Sequence, residues 1–116
     1  SESVTIAPMP ETIITFRQGS AVVENLQLPD VERVAGYLKD NPSAKILITG
    51  YASPEGSLEF NQQLSQKRAD TVKSILMQQY NISADRITAE GKGIGDFFPQ
   101  QPDWNRLSIC IINGAE

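Results

Sequence analysis

Histidine is absent from the 116-residue chain, and cysteine occurs once. Without imidazole, His-based acid–base catalysis, Ser-His and Cys-His nucleophilic pairs and most zinc sites are excluded. The lone thiol, Cys110, sits in the apolar run Arg106–Ile112 (RLSICII) and reads as a small buried side chain rather than a nucleophile. One cysteine permits no intrachain disulfide, so it leaves the compartment open. No run approaches the roughly 18 apolar residues of a membrane span. Ten basic residues against fourteen acidic ones give a net charge of −4, and the basic ones are scattered. That argues against general nucleic-acid affinity. The chain opens at Ser1 without a signal peptide, as expected of a processed chain or an excised piece.

What remains is ordinary for one globular domain: 40% hydrophobic and 21% charged residues. Residues 1–11 (SESVTIAPMPE) carry two prolines and read as a lead-in or linker, with a short extended piece around Val4–Ile6. The domain proper is expected over 12–116. Thr12–Phe16 (TIITF), rich in β-branched and aromatic residues, predicts a strand. After the polar turn RQGS, Pro29 with Asp30 and Glu32 suits the start of a helix whose apolar positions are Val31, Val34, Ala35 and Leu38. Asn41-Pro42 stops it. Lys45–Ala52 (KILITGYA) reads as a central strand. Ser57 is placed to cap a second helix running to about Gln79. Arg86–Gly93 and Arg106–Ile112 give the last two strands. The order β-α-β-α-β-β is an α+β or α/β sandwich of helices on a small sheet.

The segment between the second strand and second helix, Ser53-Pro54-Glu55-Gly56, has the composition of a binding loop yet no charge at Ser53. Along the helix that follows, Asn61, Leu64, Ser65, Arg68, Val72, Ile75 and Leu76 share one stripe. A guanidinium on that core-facing stripe is costly unless paired. Two readings stay open. Arg68 snorkels past Leu64 to a carboxylate such as Glu55 or Glu59, or it lines a cleft and offers bidentate donors to a ligand carboxylate.

The stretch TGYASPEG followed by Asn61-Gln-Gln-Leu64-Ser65-Gln-Lys-Arg68-Ala69-Asp-Thr-Val72-Lys-Ser-Ile-Leu76 resembles the signature of the OmpA-like C-terminal domain family. Its pattern is roughly T-G-H-T-D-x-x-G, then N-x-x-L-S-x-x-R-A-x-x-V-x-x-x-L. TIITFRQGSAVV, ISADRITAEGKG and NRLSICI resemble other family segments, so the likeness covers most of the chain. It implies an α+β fold, two long helices on a mixed four-stranded sheet. It also implies a noncatalytic periplasmic module, without cofactor, that binds the diaminopimelate residue of peptidoglycan and ties an outer-membrane-associated protein to the cell wall. In the family the loop Asp takes the ligand's ammonium and the helix Arg its carboxylate. Arg68, Asn61 and Leu64 carry over, Asn61 as a brace for the loop.

The loop Asp does not carry over: the motif's His, Thr and Asp positions hold Tyr51, Ala52 and Ser53. Losing a charge-assisted partner costs about 1.5–3 kcal/mol. Glu55, two residues on, is the candidate to supply the missing carboxylate. Arg17, where many relatives carry an acid, is read as structural. The expected ligand-binding set is therefore Arg68, Ser53, Glu55, Ala52, Asn61 and Leu64. A second reading keeps the fold as a protein-interaction module, homodimeric in one version, with Phe97, Phe98 and Trp104 gathered in one loop as an interface. The third, an enzyme using Glu55 and Glu59, lacks a nucleophile, metal cluster or cofactor motif.

Overall fold

The computed structural model describes residues 9, 11–53, 56–94 and 108–115. Its elements are β1 (Thr12–Phe16), α1 (Leu28–Asp40), β2 (Lys45–Ala52), α2 (Leu58–Tyr80), β3 (Ile87–Ile94) and β4 (Ser108–Ala115), with 3₁₀ turns at Asn25–Gln27 and Ala84–Arg86. The sheet order is β1-β4-β2-β3. β4 runs antiparallel to both its neighbours, while β2 and β3 are parallel. A parallel pair needs a long crossover, and α2 provides it. The expected two-helix, mixed four-stranded α+β architecture is the one found.

Both helices start and stop where local chemistry directs. α1 carries Pro29 in its first turn, and at its end Asn41 N–H bonds the Tyr37 carbonyl. Ser57 Oγ accepts the Phe60 N–H at 3.0 Å, capping α2. Asn81, at φ 57°, terminates that helix in the left-handed region that asparagine tolerates. The core lies between the helices and one sheet face. It joins Ile14 and Phe16 of β1, Val31, Val34, Ala35 and Leu38 of α1, Ile46 and Ile48 of β2, Ala69, Val72 and Leu76 of α2, and Cys110 and Ile112 of β4.

Two strands differ from expectation in their bounds, β3 by a shift of one residue at each end and β4 at its end. β3 begins one residue later because Arg86 closes the 3₁₀ turn and turns its guanidinium to the end of α1. There it donates to the carbonyls of Leu38, Asn41 and Ala44 at 2.7–3.0 Å. β4 continues past Ile112 through an Asn-Gly pair that looks like a turn, because the start of β2 needs partners: Lys45–Leu47 pair with Ala115–Asn113. The expected start of that strand at Arg106, the extended piece around Val4–Ile6, and the aromatic loop with Phe97, Phe98 and Trp104 lie outside the described residues. Among the described residues no helix is long and apolar enough to cross a membrane.

The seating of α2 decides where the site forms. A Cβ on Gly50 would lie 2.0 Å from the Ser65 carbonyl oxygen, and one on Gly91 2.3 Å from the Gln66 nitrogen. Only glycines let the helix backbone come this close to β2 and β3. Ser65 Oγ then donates to the Gln62 carbonyl and accepts from Gly93 N–H, both at 2.8 Å.

Candidate binding cleft

β2 delivers the chain to Ser53, and Gly56 and Ser57 lead into the start of α2. Opposite stands the turn after β1, closed by Ser20 N–H to the Arg17 carbonyl with Gly19 at φ 72°. Between them lies a cleft of about 250 Å³, lined by Gln18, Gly19, Ser53, Gly56, Phe60, Asn61 and Leu64. The structure thus brings Ser53, Asn61 and Leu64 of the expected set to one surface. Ser53 and Asn61 are almost fully buried, at 5% and 2% exposure. Ala52 is buried beside them at the end of β2. Glu55 lies outside the described residues. Gln18, Gly19 and Phe60 were not anticipated, because contacts between the β1 turn and α2 leave no local pattern. The RQGS turn itself was visible.

Arg68 lies beneath this cleft and is completely buried. Its Nε donates to the Ser20 carbonyl at 2.7 Å, one terminal nitrogen to the Tyr51 carbonyl at 2.8 Å, and the other to the Arg17 carbonyl at 3.2 Å. The guanidinium carbon stands 5.4 Å from the centre of the Phe16 ring. One side chain therefore joins the turn after β1 to the exit of β2, the two walls of the cleft. The sequence left two arrangements open for Arg68, and the main-chain carbonyls are a third. Burial lowers its pKa to about 10, against a small opposing pull from Cys110, so the cation persists at neutral pH. Burial raises the Cys110 thiol to about 12 despite the nearby guanidinium, which keeps it unreactive. Burial also raises the hydroxyl of Tyr51, at the motif's His position, while Lys92 pulls it back.

A frame of this kind can hold a loop and a helix start in fixed register around a small polar ligand. The cleft lining itself is uncharged: Gln18, Ser53 and Asn61 are its polar side chains, and Leu64 and the 51% exposed Phe60 its apolar ones. Comparison with known proteins fits these features to one family. The OmpA family model matches residues 15–106. The chain belongs to the OmpA family. Outer membrane protein 40 of Porphyromonas gingivalis is 36% identical over 107 residues, which is 91% of this chain and 27% of that protein. The peptidoglycan-associated lipoprotein of Legionella pneumophila is 34% identical over 92 residues, 78% of this chain and 52% of that one. The crystal structure of the peptidoglycan-associated lipoprotein from Burkholderia pseudomallei superposes with a TM-score of 0.77, covering 90% of each chain at 24% identity, a likeness of fold. This chain spans only about a quarter to a half of the curated relatives named here. Their outer-membrane and lipoprotein character agrees with the location expected of an OmpA-like domain, the periplasm beside the outer membrane.

Proposed function

We propose that this OmpA domain is a noncatalytic module that binds the diaminopimelate-bearing stem peptide of peptidoglycan. In doing so it tethers the protein that carries it, associated with the outer membrane, to the cell wall. The observation that carries the reading is the cleft at Ser53, Asn61 and Leu64 with both walls pinned by the buried Arg68. Family membership and the likeness to a peptidoglycan-associated lipoprotein support it. A diaminopimelate end group is zwitterionic, and a site for it needs a positive and a negative side a few ångströms apart. Arg68 supplies positive potential from beneath the cleft for the ligand's carboxylate, while Asn61 braces the loop. The ammonium falls to the Ser53 hydroxyl and to the Glu55 carboxylate two residues on.

Retention on diaminopimelate-type sacculi tests the reading. Wild type is expected to co-sediment with them, and Ser53→Asp to bind about tenfold more tightly, because the restored charge recovers a charge-assisted hydrogen bond. Failure of both proteins to bind would reject the function. It would favour the alternative of an interaction module that has kept the fold and lost the wall, which the neutral, buried Ser53 also suits.

A further inference from the structure

Beside the Ser53 cleft lies a second hollow of about 220 Å³, lined by Gly19, Phe60, Gln63, Leu64 and Lys67. Gly19, Phe60 and Leu64 line both hollows, so the two adjoin along α2 as a two-part groove. Phe60, Leu64 and Lys67 follow i, i+4, i+7 spacing and therefore share one flank of the helix. Phe60 and Leu64 make an apolar wall, and the exposed Lys67 stands at the far end. Among the described residues no salt bridge engages the Lys67 ammonium. Its nearest acidic neighbour on the helix, Asp70, accepts from Gln66 Nε2 at 3.0 Å.

We infer that the groove takes an extended peptide rather than a single amino acid, and that Lys67 receives a second carboxylate of that peptide. Resting on the wall-binding reading, this names the ligand's length and polarity. The seven residue steps of helix from Phe60 to Lys67 rise about 10 Å. Extended peptide advances about 3.3–3.6 Å per residue, so the groove matches about three residues. The ammonium and carboxylate of one amino-acid centre cannot reach both ends. A stem peptide can, with its diamino residue in the Ser53 cleft, its backbone along Leu64 and Phe60, and a free carboxylate at Lys67. Arg68, held by three carbonyls below the cleft, leaves this outer charge to its neighbour in sequence.

The test is a titration of wild type, Lys67→Gln and Lys45→Gln with a diaminopimelate-containing tetrapeptide, its terminal carboxyl either free or amidated. Lys45 is an exposed lysine of β2 and controls for net charge. Lys67→Gln should weaken binding of the free-acid peptide about two- to fivefold, the range of an exposed ion pair, and flatten its salt dependence. Amidating the peptide should cost wild type the same factor and cost Lys67→Gln nothing. Equal affinity of Lys67→Gln and wild type for the free acid would overturn the inference and leave wall binding standing. So would equal losses in Lys67→Gln and Lys45→Gln, which would reduce the effect to net charge. If wild type binds neither peptide nor sacculi, both readings fall.

Discussion

At the scale of single residues, Arg68 shows how one side chain can be structural because of its charge. Burying a guanidinium carries a desolvation penalty of several kcal/mol, offset only where hydrogen bonds replace water. Here they come from three carbonyls on two separate segments and a facing aromatic ring. The planar fork of arginine can aim at three acceptors at once, and the compact ammonium of lysine cannot. Arg68→Lys is therefore expected to lose about 2–4 kcal/mol of unfolding free energy in urea, because carbonyls near the cleft lose their donors. A wild-type midpoint and slope for the lysine variant would mean that the carbonyl contacts contribute little to holding the cleft. Arg68→Ala removes the frame together with the charge, so it is expected to lose stability and wall binding at once.

At the scale of elements, α2 is seated on β2 and β3 by close approach over Gly50 and Gly91 at its middle, and by apolar packing of Ala69, Val72 and Leu76 beyond. Gly50→Ala would place a methyl 2.0 Å from a helix carbonyl oxygen, so the helix must move away or the strand must bend. A loss of about 2–4 kcal/mol is expected, at or above the usual range for overpacking because the obstacle is backbone. Displacing α2 also carries Asn61 and Arg68 with it, so binding should fall in whatever fraction stays folded. Gly36→Ala is the matched control. Gly36 lies inside α1 with nothing within 4 Å of its added Cβ, so helix propensity alone predicts a gain of about 0.5–1 kcal/mol. Thermal melts of the two variants should therefore shift in opposite directions. If both shift alike, the close approach at Gly50 is not what seats the helix.

These elements also mark how far the sequence could be read. α1, β1, β2 and the Ser57 cap rest on residues within one or two turns of each other, and their pattern is visible in the chain. The stripe on α2 was visible too, including the anomaly of an arginine within it. What the arginine touches was not, because its acceptors lie 17, 48 and 51 residues away and are main-chain atoms that carry no side-chain signature. The position of β4 between β1 and β2, and its run beyond Ile112, were hidden for the same reason: strand pairing is non-local. Of the candidate site, Ser53, Asn61 and Leu64 came through the motif. Gln18, Gly19 and Phe60 required the fold.

At the scale of the whole molecule, the sheet's two outer strands, β1 and β3, bear on the homodimer considered from sequence. Unpaired edges recruit other strands unless they are blocked. On β3, Gln62 Nε2 donates to the Gly91 carbonyl at 2.7 Å and Gln66 Nε2 to the Ala89 carbonyl at 3.1 Å. Gly91 N–H in turn donates to Gln66 Oε1 at 2.8 Å. Together with Ser65 Oγ on Gly93 N–H, the helix side chains occupy four main-chain groups of β3 that a further strand would use. On β1, the Thr15 N–H donates to Gln27 Oε1 at 3.3 Å. With β3 guarded by these side chains and β1 engaged at one amide, the domain is expected to sediment as a monomer. Gln62→Ala/Gln66→Ala strips β3 of its amides while leaving the helix former intact, so this variant should lose about 1–3 kcal/mol. It should also self-associate with rising concentration, as an uncovered edge does. Sedimentation equilibrium of the two proteins over the same concentrations decides the matter. A wild-type dimer would mean that association uses a surface other than the guarded β3 edge, and a strictly monomeric double variant would mean that the amides do not guard β3.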